Sequence, residues 1–251
     1  ILLLGDFTIR GGEGSQTIVG DDGFQDLILG TGDDVVYAGG GNDKLATLTG
    51  DNYLDGGEGN DELTAGSGQD VLIGGAGDDK LNGGEGLDQA NYVGSYFDFN
   101  VEKQLGSFLV EDKLDLEGSD TLTDIERVNF DDGTLAFDVE GNAGQTYRLY
   151  QAAFERVPDS LGVKYHVNDI EENGLILYQV AGNFLASPEF KLTYGENLSD
   201  SDFVDALYDN VLGRSAETFE KDYYISRYNK PANDPMWMDR AASLIGFSES
   251  P

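Results

Sequence analysis

The sequence predicts a β + α multidomain chain: a solenoid of two short-stranded parallel sheets, a β cap, and then an all-α domain with a weak internal duplication. Three observations carry this reading. Glycine and one aliphatic residue recur every nine residues as far as residue 91, apolar residues then alternate with polar ones, and beyond residue 142 they fall at helical spacing with few glycines. The parts are 1–91, 92–142 and 143–251.

Composition narrows the functions open to such a chain. Its 251 residues are 39% hydrophobic, enough for a core, but 48 Asp and Glu against 15 Lys and Arg leave a net charge of -33. That charge repels phosphate backbones and anionic membranes, which argues against nucleic acid as a partner. It also opposes compaction, so a bound cation is expected wherever the acidic residues crowd. With no Cys there are no disulfides, thiolate metal sites or Cys nucleophiles. No apolar run approaches ~18 residues, so no membrane span is expected. The opening "ILLLGD", without Met or a basic leader, reads as part of a longer protein.

The repeat fixes the first element. Stepping by nine from Gly77 gives Gly5, Gly14, Gly23, Gly32, Gly41, Gly50, Gly59, Gly68, Gly77 and Gly86. Four residues later the same step gives Ile9, Ile18, Leu27, Val36, Leu45, Leu54, Leu63, Leu72, Leu81 and Ala90. Between them runs Phe7, Gln16, Gln25, Asp34, Asp43, Asn52, Asp61, Asp70, Asp79 and Asp88. A disordered linker has no reason to keep an aliphatic residue in frame. Each unit reads as a six-residue turn and a three-residue strand, and two units return the chain to its starting side. Position n then lies beneath position n+18, about 4.8 Å away.

That spacing selects an ion. A cation midway between oxygens on successive coils would lie about 2.4 Å from each, within the range of calcium and too long for magnesium. Oxygen donors alone agree with this choice. The stacked pairs are Asp43 with Asp61, Asp61 with Asp79, and Asp70 with Asp88, giving about three strong sites. Asp34 with Asn52, and Asn52 with Asp70, each lack one carboxylate and are expected to be partly filled. The earliest coils, with Phe and Gln in the column, are expected to stack without calcium if they stack at all.

Residues 29–91, with "GGEGNDELT", "GGAGDDKLN" and "GGEGLDQAN", resemble the GGxGxDxUx nonapeptide of the RTX calcium-binding repeats. The resemblance implies a parallel β-roll in which backbone carbonyls complete each site. For the first strong site it implies Gly39, Gly41, Gly56 and Glu58. For the second it implies Gly57, Gly59, Gly74 and Ala76, and for the third Gly66, Gly68, Gly83 and Glu85.

The cap follows from Asn91. Phe97, Phe99 and Val101, then Phe108 and Val110, alternate as half-buried strands, and "DDGT" reads as a hairpin turn. Their expected task is to cover the open sheet edge and core of the last coil. The stretch "GSDTLTDIERVNFDDGTLAFDV" resembles the segment that closes RTX rolls in proteins exported by type I systems.

The third element is helical. Tyr147, Tyr150, Ala153 and Phe154 share one helix face, as do Phe203, Ala206, Leu207 and Val211. "LYQAAFERVPDSLGVKYH" at 149–166 aligns with "LYDNVLGRSAETFEKDYY" at 207–224, and "FLASPEF" has a looser echo in "LIGFSES". Ser199 or Asp200 offers an N-cap. The region resembles a helical domain of unknown function found behind RTX repeats, distantly similar to phycobilisome linker repeats. Its pattern of an Arg, an acidic residue, a Gly and a Tyr-Trp pair falls on Arg156, Asp159, Gly162, Tyr165 and His166 in the first half and on Arg214, Glu217, Glu220, Tyr223 and Tyr224 in the second, with the Trp replaced in both halves and the Gly in the second.

Catalysis is not expected. His166 is the only His, HExxH and G-x-S-x-G are absent, and His166 reads as a packed helix residue. Trp237 in "PMWMD" reads as a core or helix-packing contact. The expected function is a non-catalytic, calcium-dependent folding and secretion module at the C-terminal end of a larger type I secreted extracellular protein, with the type I exporter as a partner. The stretch "SLIGFSESP" is a candidate for the export signal. The alternative is an adhesin-type interaction module at the cell surface, whose helical domain binds a surface, peptide or partner protein.

Overall fold

The computed structural model describes residues 5–114, 116–156, 158 and 160–249, so Asp159 of the helical pattern and the end of "SLIGFSESP" lie outside the described residues. The chain divides into two compact units, Ile1–Phe137 and Asp138–Pro251.

In the first unit the strands are β1 (Phe7–Arg10), β2 (Thr17–Val19), β3 (Gln25–Ile28), β4 (Val35–Gly40), β5 (Lys44–Ala46), β6 (Tyr53–Glu58), β7 (Glu62–Gly68), β8 (Val71–Ala76), β9 (Lys80–Gly86) and β10 (Gln89–Asn91). The cap adds β11 (Phe99–Gln104), β12 (Ser107–Asp112), β13 (Ser119–Thr123), β14 (Arg127–Phe130) and β15 (Gly133–Ala136). One sheet runs β1-β3-β5-β7-β9-β13-β12-β11 and the other β15-β14-β10-β8-β6-β4-β2. This is a parallel solenoid of two sheets. The earliest coils do stack, Ile9 over Leu27 and Ile18 over Val36, in the same register as Leu54 over Leu72.

The strands are longer than the three residues expected. β6 and β8 run for 6 residues and β7 and β9 for 7, because pairing continues through the glycines, Gly57 with Gly75 and Glu58 with Ala76. Gly57 has φ 101°, and a methyl there would lie on the carbonyl oxygen of Gly39 in the coil below. Only glycine lets the backbones approach closely enough to prolong the ladder.

A single stack of aliphatic side chains forms the core: Ile18, Leu27, Val36, Leu45, Leu54, Leu63, Leu72, Leu81 and Ala90 are all buried. The cap continues this stack with Leu122 over Leu81 and Val128 over Ala90. β11 and β12 form an antiparallel hairpin inserted before β13, and β14 turns back into β15 through Asp131 and Asp132. Phe97 departs from the expected alternation. It lies in the 3-10 turn Tyr96–Asp98 and is exposed, while Phe99 and Val110 are buried as the pattern requires.

The second unit contains α1 (Asn142–Phe154), α2 (Ser160–Glu171), α3 (Leu177–Ala186), α4 (Pro188–Tyr194), α5 (Asp200–Leu212), α6 (Thr218–Tyr228) and α7 (Arg240–Ser248). Ser199, and not Asp200, caps α5 by accepting from the Asp202 N–H. Tyr150, Ala153 and Phe154 are buried, but Tyr147 is exposed at the margin of the α1 face.

The internal duplication survives in the packing. Arg156 lies 5.4 Å from the ring centroid of Tyr150, and Arg214 lies 4.8 Å from that of Tyr208. His166 packs on Tyr150 and Phe184, as Tyr224 packs on Tyr208 and Phe247. His166 is therefore a packed helix residue. Burial also lowers its pKa, against the pull of Asp169. Trp237 differs from expectation: it sits in the loop before α7, outside the helical core, 36% exposed.

Candidate metal centre

Each residue of the carboxylate column closes a hydrogen bond to the coil below. Oδ1 of Asp61 accepts from the Asp43 N–H at 2.6 Å, Oδ1 of Asp79 from Asp61 at 2.7 Å, and Oδ1 of Asp88 from Asp70 at 2.9 Å. The same bond links Asp34 to Gln16, Asp43 to Gln25 and Asp70 to Asn52. One oxygen of every stacked Asp is thus committed to the backbone.

The other oxygen is not. Oδ2 of Asp34, Asp43, Asp61, Asp70, Asp79 and Asp88 is buried without a hydrogen-bond partner. The residues themselves are no more than 2% exposed. Isolated buried carboxylates are costly, so each of these oxygens calls for a proton or a cation. Burial, aided by neighbouring carboxylates, pushes Asp43 up to about 6 and Asp79 and Asp88 up to about 7. Asp34, Asp61 and Asp70 are raised for the same leading reason.

The backbone supplies further oxygens around these atoms. A methyl on Gly56 would collide with Asp61 Oδ2 and lie 2.9 Å from the carbonyl oxygen of Gly74, so those two oxygens converge on one small space. Asp79 Oδ2 approaches Gly74 in the same way, and Asp88 Oδ2 approaches Gly83. The carbonyl oxygens of Gly39, Gly41, Gly57, Gly59, Gly66 and Gly68 each project onto the glycine one coil above. Those of Glu58 and Ala76 already accept from the Gly41 and Gly59 N–H groups, at 2.8 and 2.7 Å. Glu85 lies beside Ser67 on the paired strand. Among the described residues no group of three or more His, Cys, Asp or Glu side chains could hold a metal ion. A site here must therefore combine carboxylate with backbone carbonyl, a donor set suited to a hard cation.

Amide side chains in the column behave differently. Asn52 Nδ2 donates to the Gly50 carbonyl and to Asp70 Oδ1, both at 2.8 Å. Gln16 and Gln25 donate likewise to the carbonyls of Gly14 and Gly23. Their Oε1 atoms are also unpartnered, but an amide oxygen brings no charge. At Asn52 an N–H group thus joins carbonyl to carboxylate, and at Gln16 and Gln25 one occupies the carbonyl.

Two features escaped the sequence reading. One is a second, exposed ladder one residue earlier in the repeat and of opposite sense, in which Asp51 N–H donates to Asp33 Oδ1, Asn60 to Asn42 and Asp78 to Asn60. The spacing of Asp33, Asn42, Asp51, Asn60 and Asp78 carried its signal. The other is the upper end of the carboxylate column, where Asp120 and Glu126 of the cap accept from the Asp79 and Asp88 N–H groups, both at 2.8 Å. Their separations along the chain, 41 and 38 residues, break the 18-residue step that revealed the rest.

A two-sheet parallel solenoid with an aliphatic core and a column of buried carboxylates beside it has the architecture of a repeat protein with donors for a hard cation. Residues 10–45, 19–54 and 55–90 match the family model "RTX calcium-binding nonapeptide repeat (4 copies)", so the N-terminal region carries calcium-binding repeats of that family. Residues 181–251 match the "Domain of unknown function (DUF4214)". No curated protein matches the chain.

Proposed function

We propose that this chain is a non-catalytic folding and secretion module, which calcium converts from a repelling chain into a rigid roll once the protein it belongs to has left the cell through a type I exporter. One observation carries the reading: every Asp of the column from Asp34 to Asp88 buries one oxygen that the protein leaves unpartnered. Without a cation these stacked charges oppose folding; with one they hold successive coils together. Extracellular calcium modules bind at roughly 10⁻⁴ to 10⁻³ M, so scarce cytosolic calcium leaves such a switch open and external calcium closes it.

The principal ions are assigned between Asp43 and Asp61, Asp61 and Asp79, and Asp70 and Asp88, with the carbonyls named above. Asp34 with Asn52 is the weaker level. At Asn52 with Asp70 the amide competes directly with the ion. No helix among the described residues is long and apolar enough to cross a membrane, and the RTX match accords with an exported protein.

The test is circular dichroism of the whole chain during a calcium titration that starts from chelator. The β signal is expected to appear cooperatively with calcium above a constant helical signal. Full β structure under chelation would sink the proposal.

A further inference from the structure

Resting on the calcium reading, we infer that the cap is a cation-binding part of the roll, contributing Asp120 and Glu126 to two additional sites with Asp79 and Asp88. The segment 117–123, "EGSDTLT", reproduces a repeat feature by feature. Thr121 and Leu122 pair in parallel with Lys80 and Leu81. The Gly77 N–H donates to the Glu117 carbonyl at 3.2 Å, as Gly59 donates to Ala76. Gly118 has φ 80°, and a methyl there would lie on the Gly77 carbonyl oxygen, as one on Gly77 would on that of Gly59. Ser119 N–H donates to Asp78 Oδ1 at 3.0 Å, continuing the exposed ladder. The 23 residues by which the 41-residue offset exceeds 18 hold the β11–β12 hairpin. A repeat has been displaced along the chain, not lost.

Asp79 thus stands to Asp120 as Asp61 stands to Asp79, and its Oδ2 is buried and unpartnered. The other column ends in the same way. Above Asp88, a methyl on Gly83 would lie 2.6 Å from Asp88 Oδ2 and would collide with the carbonyl oxygen of Asp124. That is the convergence seen at Gly56, with Asp124 in place of a repeat residue. Asp124 reaches this position with φ 50°, one of the two non-glycine residues with positive φ among those described.

Asp120 also marks where the ladder stops. Its Oδ2 accepts from the Tyr92 hydroxyl at 2.8 Å, so the top carboxylate, unlike those beneath it, has a protein donor on its second oxygen. A phenol closes the upper end, as the Gln16 and Gln25 amides close the lower.

The deciding experiment is anomalous diffraction from calcium-loaded crystals of the whole chain, with calcium titrations of Asp120→Asn and Glu126→Gln. Expected are peaks beside Asp79 Oδ2 under Asp120 and beside Asp88 Oδ2 under Glu126, and a loss of about one ion in each variant. Peaks confined to levels between repeats, or variants with unchanged stoichiometry and affinity, would overturn the cap sites and leave the calcium switch standing. No peak anywhere in the roll would overturn both. Asp79→Asn, which keeps the hydrogen bond to Asp61, tests the lower ligand should the cap variants fold poorly; unchanged calcium binding there also counts against the junction.

Discussion

The two units place their charged groups by opposite means: the helical unit keeps them paired at its surface, while the roll buries carboxylates. In the helical unit charged groups are paired within the protein: Arg214 with Glu220 at 2.8 Å, which holds that carboxyl down to about 2, Arg156 with Glu189 at 2.7 Å, and Arg240 with Asp200 at 2.7 Å. Its core is built on Phe154, Phe184, Phe190, Phe203 and Phe247. In the roll the core is one aliphatic residue thick, and among the described residues the column carboxylates beside it each bury an oxygen with no hydrogen-bond partner. One unit pairs its charges with one another, and the other leaves buried carboxylate oxygens that the proposed calcium would satisfy.

This contrast is most directly broken by heat. With calcium at ~100 Kd each filled site adds ~2.7 kcal/mol, so several sites should raise the melting of the roll by tens of degrees while that of the helical unit stays put. Differential scanning calorimetry with and without chelator would show two transitions, one of them calcium-dependent; if both move together, the contrast is wrong. Next in size, Phe203→Ala should cost the helical unit about 3–5 kcal/mol and leave calcium binding unchanged, read by the same scans. Gly57→Ala should cost the roll about 3 kcal/mol through backbone strain and the approach of the Gly39 carbonyl, and should raise the calcium midpoint of the β signal.

Acid should act on the units differently as well. In the metal-free roll Asp43 is raised to about 6, and Asp79, Asp88 and Asp120 to about 7, above the ordinary carboxylate value they regain on unfolding. The folded roll then binds protons more tightly than the unfolded chain. Its stability without calcium should grow as pH falls from about 7 to about 4, and be lost as pH rises through the folded values. Calcium affinity should fall over the same acidification, because protons and calcium compete for the same oxygens. Dichroism against pH under chelator, paired with calcium titrations, would separate the two trends. The smallest change expected is from Asn52→Asp, which removes the amide donor to Gly50 and Asp70 and should add about one ion to the titrated total.

Much of the roll was legible because its information is periodic. A residue's neighbour lies one fixed step along the chain, so the columns of Gly, Asp and Leu specified the coil, the register and the buried Asp residues from Asp34 to Asp88. The helical duplication was legible for a related reason: "LY" followed by Arg recurs, and each Arg comes to lie over its own Tyr. Other features depend on geometry that composition does not encode. Strand length followed from how far glycine backbones could approach, and the exposure of Phe97 and Trp237 from local turns that alternation and apolar character do not report.

The sequence by itself therefore determined which residues form the ladder and that it would be acidic, since both follow from spacing and charge. Only the tertiary structure decided how each carboxylate divides its two oxygens, one to the backbone below and one left free. It also decided where the ladder ends, because Asp120 and Glu126 reach the column through a hairpin insertion that breaks the period while preserving the hydrogen bonds. Periodicity can be read along a chain, whereas contacts across an insertion exist only once it has folded.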